Sequence, residues 1–105
     1  MDVSLVYITA KDAAEAERVG RAVVEQRLAA CVNIIKGMRS LYWWQGRLEE
    51  ASEVVVIAKT RTDLVPALTA AVKVVHSYEV PCVVAVPIAG GNEDFLRWIR
   101  EETRG

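Results

Sequence analysis

The spacing of hydrophobic positions changes several times along the chain, and each change marks an element. Residues 3–9 (VSLVYIT) are a short apolar run rich in β-branched and aromatic side chains, which reads as a strand buried on both faces. Asp12 with Glu15 three residues later offers a capping box, and Ala16, Val19, Gly20 and Val23 follow at helical spacing, so a helix is expected to run to about Arg27. Residues 30–44 turn to strand-like composition with Gly37 placed for a bulge, and after Gln45-Gly46 residues 48–60 supply the second strand of a hairpin. Thr62 and Asp63 can cap a second helix, with Pro66 in its first turn and Leu64, Leu68, Ala71, Val72 and Val75 as its apolar stripe. That helix should end before Tyr78. Pro81 and Pro87 enclose an apolar run of strand length, Gly90-Gly91 break the chain, and Asn92 opens a third helix with Glu93 and Asp94 at its positive end. Phe95, Trp98 and Ile99 would pack that helix down.

The resulting order, βαββαβ followed by a terminal helix, is the split βαβ arrangement: an α+β, ferredoxin-like sandwich in which residues 1–105 form one domain. The hairpin is too long for it. Fourteen or so residues at about 3.3 Å each span roughly 45 Å, whereas a globule of this length is roughly 33 Å across. The tip must project, and it carries Leu41, Tyr42, Trp43 and Trp44, whose two faces a lone arm cannot shield from water. The second strand also lies at a sheet edge in this topology, with backbone groups free to pair. Neighbouring subunits are expected to cover the arm and extend the sheet.

Composition narrows the function. Thirteen basic and fourteen acidic side chains leave a net charge of −1, which gives no broad attraction for nucleic acid or anionic lipid. The N-terminal residues show neither the charged region nor the apolar length of a signal peptide, and no run approaches a membrane span, so a cytoplasmic protein without membrane insertion is expected. Cys31 and Cys82 lie far apart and outside any CxxC pair, which makes reduced thiols the default.

His76 is the single histidine. With Cys31 or Cys82 it can ligate Cu(I) or Zn(II), and Glu79 can complete a set; its structural alternative is a capping or hydrogen-bonding group at a helix end. Cys31, among Ala29, Ala30 and Val32, reads first as a small core residue, and Cys82 as a more accessible thiol at a strand start whose burial is favoured over ligation. Lys59 ends an apolar strand, so its ammonium must reach water, a carboxylate or an anion. Lys59, Tyr78 and Glu79 suggest a small-anion pocket or, alternatively, an inter-subunit ion pair. Tyr42, Trp43 and Trp44 fit subunit packing better than a base-stacking platform, because Glu49 and Glu50 follow on the same arm.

Five segments in order resemble the CutA divalent-cation tolerance family: 28–34 (LAACVNI), 40–46 (SLYWWQG), 53–60 (EVVVIAKT), 76–81 (HSYEVP) and 95–99 (FLRWI). The resemblance covers nearly the whole chain. It implies a homotrimer of ferredoxin-like subunits, similar in plan to PII signalling proteins, and a role in the response to divalent metals, copper above all. It further implies an inter-subunit pocket drawn from His76, Tyr78, Glu79 and Lys59. Two positions depart from the pattern. Ser77 stands where the family has proline, and Cys82 where it has glutamate, exchanging a hard ligand for a soft one. In some copper-binding members a cysteine and a second histidine occupy the places held here by Ile8 and Val75.

Two functions from different classes compete. The first is a trimeric, non-enzymatic metal-response or small-ligand-binding protein that needs no cofactor to fold, consistent with the lack of a Ser-His-Asp spacing, GxGxxG or P-loop motif. The second is an interaction or anchoring module with only an indirect effect on metal tolerance. An RNA-binding domain shares the strand order but needs a basic, aromatic sheet face, for which Tyr7 alone is a weak substitute.

Overall fold

The computed structural model describes residues 2–104. Strand β1 (Val3–Ala10) leads to helix α1 (Ala13–Glu25), and the long strands β2 (Cys31–Trp44) and β3 (Arg47–Arg61) form the hairpin. A 3-10 turn (Thr62–Leu64) opens helix α2 (Val65–Val75), and strand β4 (Val83–Pro87) precedes helix α3 (Glu93–Glu102). The sheet order is β2-β3-β1-β4, with every neighbouring pair antiparallel. This is the ferredoxin-like topology that the element order predicts, and it leaves β2 and β4 as edges.

Alternation along the strands builds the core. Val6, Ile8 and Ala10 of β1 and Val54, Val56 and Ala58 of β3 turn to one face, where Ala16, Val19 and Val23 of α1 and Leu68 and Val72 of α2 bury them. Each fully buried Val, Leu or Ile side chain contributes roughly 1.5–3 kcal/mol. A smaller cluster of Val3, Leu96 and Ile99 seats α3 at the sheet end.

Three local expectations are corrected. Helix α1 stops at Glu25 because Arg27 adopts φ 62°, while the amides of Arg27 and Leu28 donate to the carbonyls of Val24 and Val23, closing a Schellman cap on a residue other than glycine. Thr62 and Asp63 do not cap α2 with their side chains: the Thr62 hydroxyl bonds Ser4 at 2.7 Å and the Asp63 carboxylate grips the Arg61 guanidinium at 3.0 and 3.2 Å. Asp12 does cap α1, accepting the Glu15 amide at 2.8 Å, but the Glu15 carboxylate reaches the Lys11 amide instead of closing the box on Asp12.

The hairpin has the expected bulge and turn. Ile35 faces Val55 and Met38 faces Glu53, so β2 carries one extra residue across Lys36-Gly37, where Gly37 has φ 83°. Gln45 and Gly46, with φ 50° and 80°, make the two-residue turn between Trp44 and Arg47. The arm stretches the molecule to 43 × 25 × 22 Å. Among the described residues no helix is long and apolar enough to cross a membrane.

Candidate functional site

The bulge decides which side chains meet. Before it, odd-numbered residues of β2 share the sheet face that turns away from α1 and α2; after it, even-numbered ones do. Met38, Tyr42 and Trp44 therefore join Tyr7 and Thr9 of β1 and Glu53 of β3 around a cavity of about 780 Å³, closed on one side by Ser77, Tyr78, Glu79, Val80 and Cys82 from the segment after α2.

Glu53 stands at the centre of its polar contacts. It is 7% exposed, and its Oε2 accepts the Tyr78 hydroxyl at 2.7 Å. Burial, and then the Glu53 carboxylate, push the Tyr78 phenol well above its ordinary value. Burial, followed by the same carboxylate, also raises the Cys82 thiol, against an opposing hydrogen bond with Thr9. The Tyr7 hydroxyl donates to the Met38 sulfur at 3.2 Å. Arg39 lines the cavity too, but its guanidinium is paired with Glu50 at 3.2 Å. Two carboxylates, Glu53 and Glu79, thus face one already neutralised cation.

Behind the cavity lies a buried network. The His76 side chain has no exposed surface; its Nε2 donates to the Thr9 carbonyl at 2.7 Å and its Nδ1 accepts the Tyr78 amide at 3.1 Å. A carbonyl only accepts, so these partners assign the neutral Nε2–H tautomer. Both ring nitrogens are occupied, and the ring packs 4.7 Å from that of Tyr78. His76 holds Tyr78 in place. Glu15, equally buried, accepts the amides of Lys11 at 3.0 Å and Ser77 at 2.8 Å. Burial alone would raise its carboxyl, but these hydrogen bonds, helped by the Ser77 side chain, hold it below its ordinary value.

The sequence candidates fall into two groups. His76, Tyr78, Glu79 and Cys82 gather at the Thr9 end of β1. Cys31 and Lys59 pair with one another at the level of Leu5, about 13 Å further along the strand direction. One chain therefore separates Cys31 from His76, and Lys59 from Tyr78 and Glu79. Lys59 instead meets Asn33 Oδ1, the Cys31 sulfur at 3.8 Å and the Phe95 ring at 5.9 Å. Among the described residues no three His, Cys, Asp or Glu side chains form a metal-holding group within one chain. Sequence reasoning missed Glu53, Met38 and the buried role of Glu15. Their signals were an acid opening the apolar run 53–58 and a methionine directly after the bulge glycine. On the arm, Trp43 is 75% exposed, while Tyr42 and Trp44 are 40% and 39% exposed on the cavity side.

Comparison with known proteins agrees with this architecture. The family model described as CutA1 divalent ion tolerance protein matches residues 4–102. Protein CutA of Homo sapiens is 48% identical over 101 residues, covering 96% of this chain and 56% of that protein. The chain thus spans little more than half the length of that relative. The structure of the divalent cation tolerance protein (Cut A1) from Thermus thermophilus superposes with a TM-score of 0.95 at 45% identity, covering 97% of this chain and 99% of the other. A structure described as the periplasmic divalent cation tolerance protein CutA from Archaeoglobus fulgidus gives 0.92 at 43% identity, covering 95% and 97%.

Proposed function

The chain belongs to the CutA1 divalent ion tolerance family, and from that premise we propose that it is a binding protein of the metal response that captures a cation, copper foremost, in the cavity between arm and sheet. The observation that carries this reading is Glu53. Its carboxylate is buried, Tyr78 holds one oxygen, and no basic side chain of the described residues pairs with it. Burying a charge without a counter-charge is costly, and a bound cation offsets that cost. The cavity adds the Glu79 carboxylate and the sulfurs of Cys82 and Met38. Mixed soft and hard donors suit copper, the sulfurs favouring Cu(I), and loss of the thiol proton on ligation makes binding tighten as pH rises. His76 serves as the orienting group behind the site.

The reading includes a homotrimer in the cytoplasm, where both thiols stay reduced. Tyr42, Trp43 and Trp44 pack against neighbouring subunits, and a small-anion pocket combining Lys59 with Tyr78 and Glu79 requires two chains. Calorimetric titration of the reduced protein with Cu(I), Cu(II) and Zn(II) tests the cation site, with mass followed by light scattering. Saturable binding that weakens at least about tenfold in Glu53→Gln and in Cys82→Ser is expected, since each removes one strong ligand or counter-charge. Equal affinity in wild type and both variants would overturn the site.

A second reading, an interaction or anchoring module, draws on the exposure of Trp43 at the arm tip. It predicts no saturable metal binding in the same titration.

A further inference from the structure

The cavity leaves one chemically capable pair unused. Cys31 and Lys59 stand directly opposite one another where β2 begins, with Nζ 3.8 Å from Sγ. Lys59 is held there: Asn33 Oδ1 accepts its hydrogen bond and the Phe95 ring lies 5.9 Å away. Both residues are half-buried within the chain, on the sheet face turned away from α1 and α2. The other thiol, Cys82, sits at the opposite end of the sheet, beside Thr9. A sulfenic acid on Cys31 therefore has no thiol of its own chain within reach and an amine beside it.

We infer that Cys31 and Lys59 form a peroxide-driven, reversible S–N clamp at the base of the arm. The first step breaks the O–O bond of a hydroperoxide: with hydrogen peroxide, one oxygen goes to sulfur as Cys31–S–OH and the other leaves as water with the thiol proton. Sulfur is oxidised by two electrons and the peroxide is reduced. Lys59 then releases its extra proton to solvent, and its free amine attacks the sulfenyl sulfur. The S–N bond forms, the S–O bond breaks, and a second water leaves. Sulfenic acids condense in this way with nearby nitrogen nucleophiles, and the fixed amine raises the effective concentration at the sulfur. A thiol reductant restores both side chains. The clamp joins the first residue of β2 to β3 and so locks the root of the hairpin.

The test is intact-mass and fragment mass spectrometry on the folded, full chain after hydrogen peroxide, in wild type, Cys82→Ser, Cys31→Ser and Lys59→Arg. Arginine keeps the positive charge but is far too weakly nucleophilic to attack. The expected result is a loss of two hydrogen masses in wild type and Cys82→Ser, with fragments containing residues 31 and 59 linked. Dithiothreitol should reverse it, and Cys31→Ser and Lys59→Arg should lack it. Direct climb of Cys31 to sulfinic acid would overturn the clamp, as would persistence of the two-hydrogen loss in Lys59→Arg, or an unreacted Cys31 beside an oxidised Cys82.

Discussion

At Glu15 a carboxylate with no exposed surface receives the amide hydrogens of Lys11 and Ser77, which ties the start of α1 to the segment that carries Tyr78. Its folded value lies below the ordinary one. Its ionised form therefore contributes stability that is complete above the ordinary carboxylate value and is lost as pH falls through the depressed one. We expect Glu15→Gln to cost about 2 kcal/mol at neutral pH, because the amide cannot accept both N–H groups. Urea midpoints followed down through the carboxylate range should converge for the two proteins, and parallel profiles would refute the assignment. Ser77 supplies one of these donors, and proline at 77 has no N–H. Ser77→Pro should therefore destabilise the chain by about 1–2 kcal/mol in the same urea series, although His76 already has the extended backbone (φ −84°, ψ 141°) that proline asks of its predecessor. An unchanged midpoint would show that the hydrogen bond is dispensable. Sequence spacing marked Asp12 and Glu15 as a capping box; the Glu15 amide donates to Asp12 as expected, while its carboxylate accepts from Lys11 and Ser77 instead. The burial of its carboxylate depends on α2 ending opposite it, a contact across 62 residues.

Among the elements, α1 and β2 approach closely at Gly20, where an added Cβ would stand 2.9 Å from Val32 Cγ2. Alanine is the better helix former by roughly 1 kcal/mol, but a valine methyl packed under a helix cannot swing aside as a long side chain does. The clash is expected to win. Gly20→Ala should lower the thermal midpoint, with a net cost of about 1 kcal/mol, and a rise would show that α1 can shift at no cost. Element types were legible because periodicity reports burial. Their ends were less so: the αL residue at Arg27 and the replacement of the α2 cap by a 3-10 turn depend on partners in Ser4, Arg61 and the chain that follows. The bulge at Gly37 was visible as a glycine in a strand, yet its consequence was not. Only the observed register shows that it turns Met38, Tyr42 and Trp44 onto the face that holds Glu53.

In the whole molecule the arm dominates the shape, with a long axis of 43 Å. Strand length against domain diameter anticipated this from the sequence. Leu41, Trp43 and Leu48 remain well exposed on it, and Ile35, Val84 and Val86 on the open sheet face are about half exposed. Exposed apolar surface of this kind marks interaction sites, and on the proposed association Trp43→Ser with Trp44→Ser should reduce the light-scattering mass at micromolar concentration while leaving the far-ultraviolet circular dichroism intact. An unchanged mass would remove the arm from the interface. Element order, sheet topology, the projecting hairpin and the family are all readable along the chain, because each follows from local periodicity, strand length and motif order. The grouping of the candidate side chains, by contrast, depends on the folded arrangement. Cys31 and Lys59 lie at one end of the sheet and His76, Tyr78 and Cys82 at the other, and Glu53 became their carboxylate neighbour through strand register. Register and bulge act between segments distant in the chain, and hydrophobic spacing carries no record of which residues they bring together.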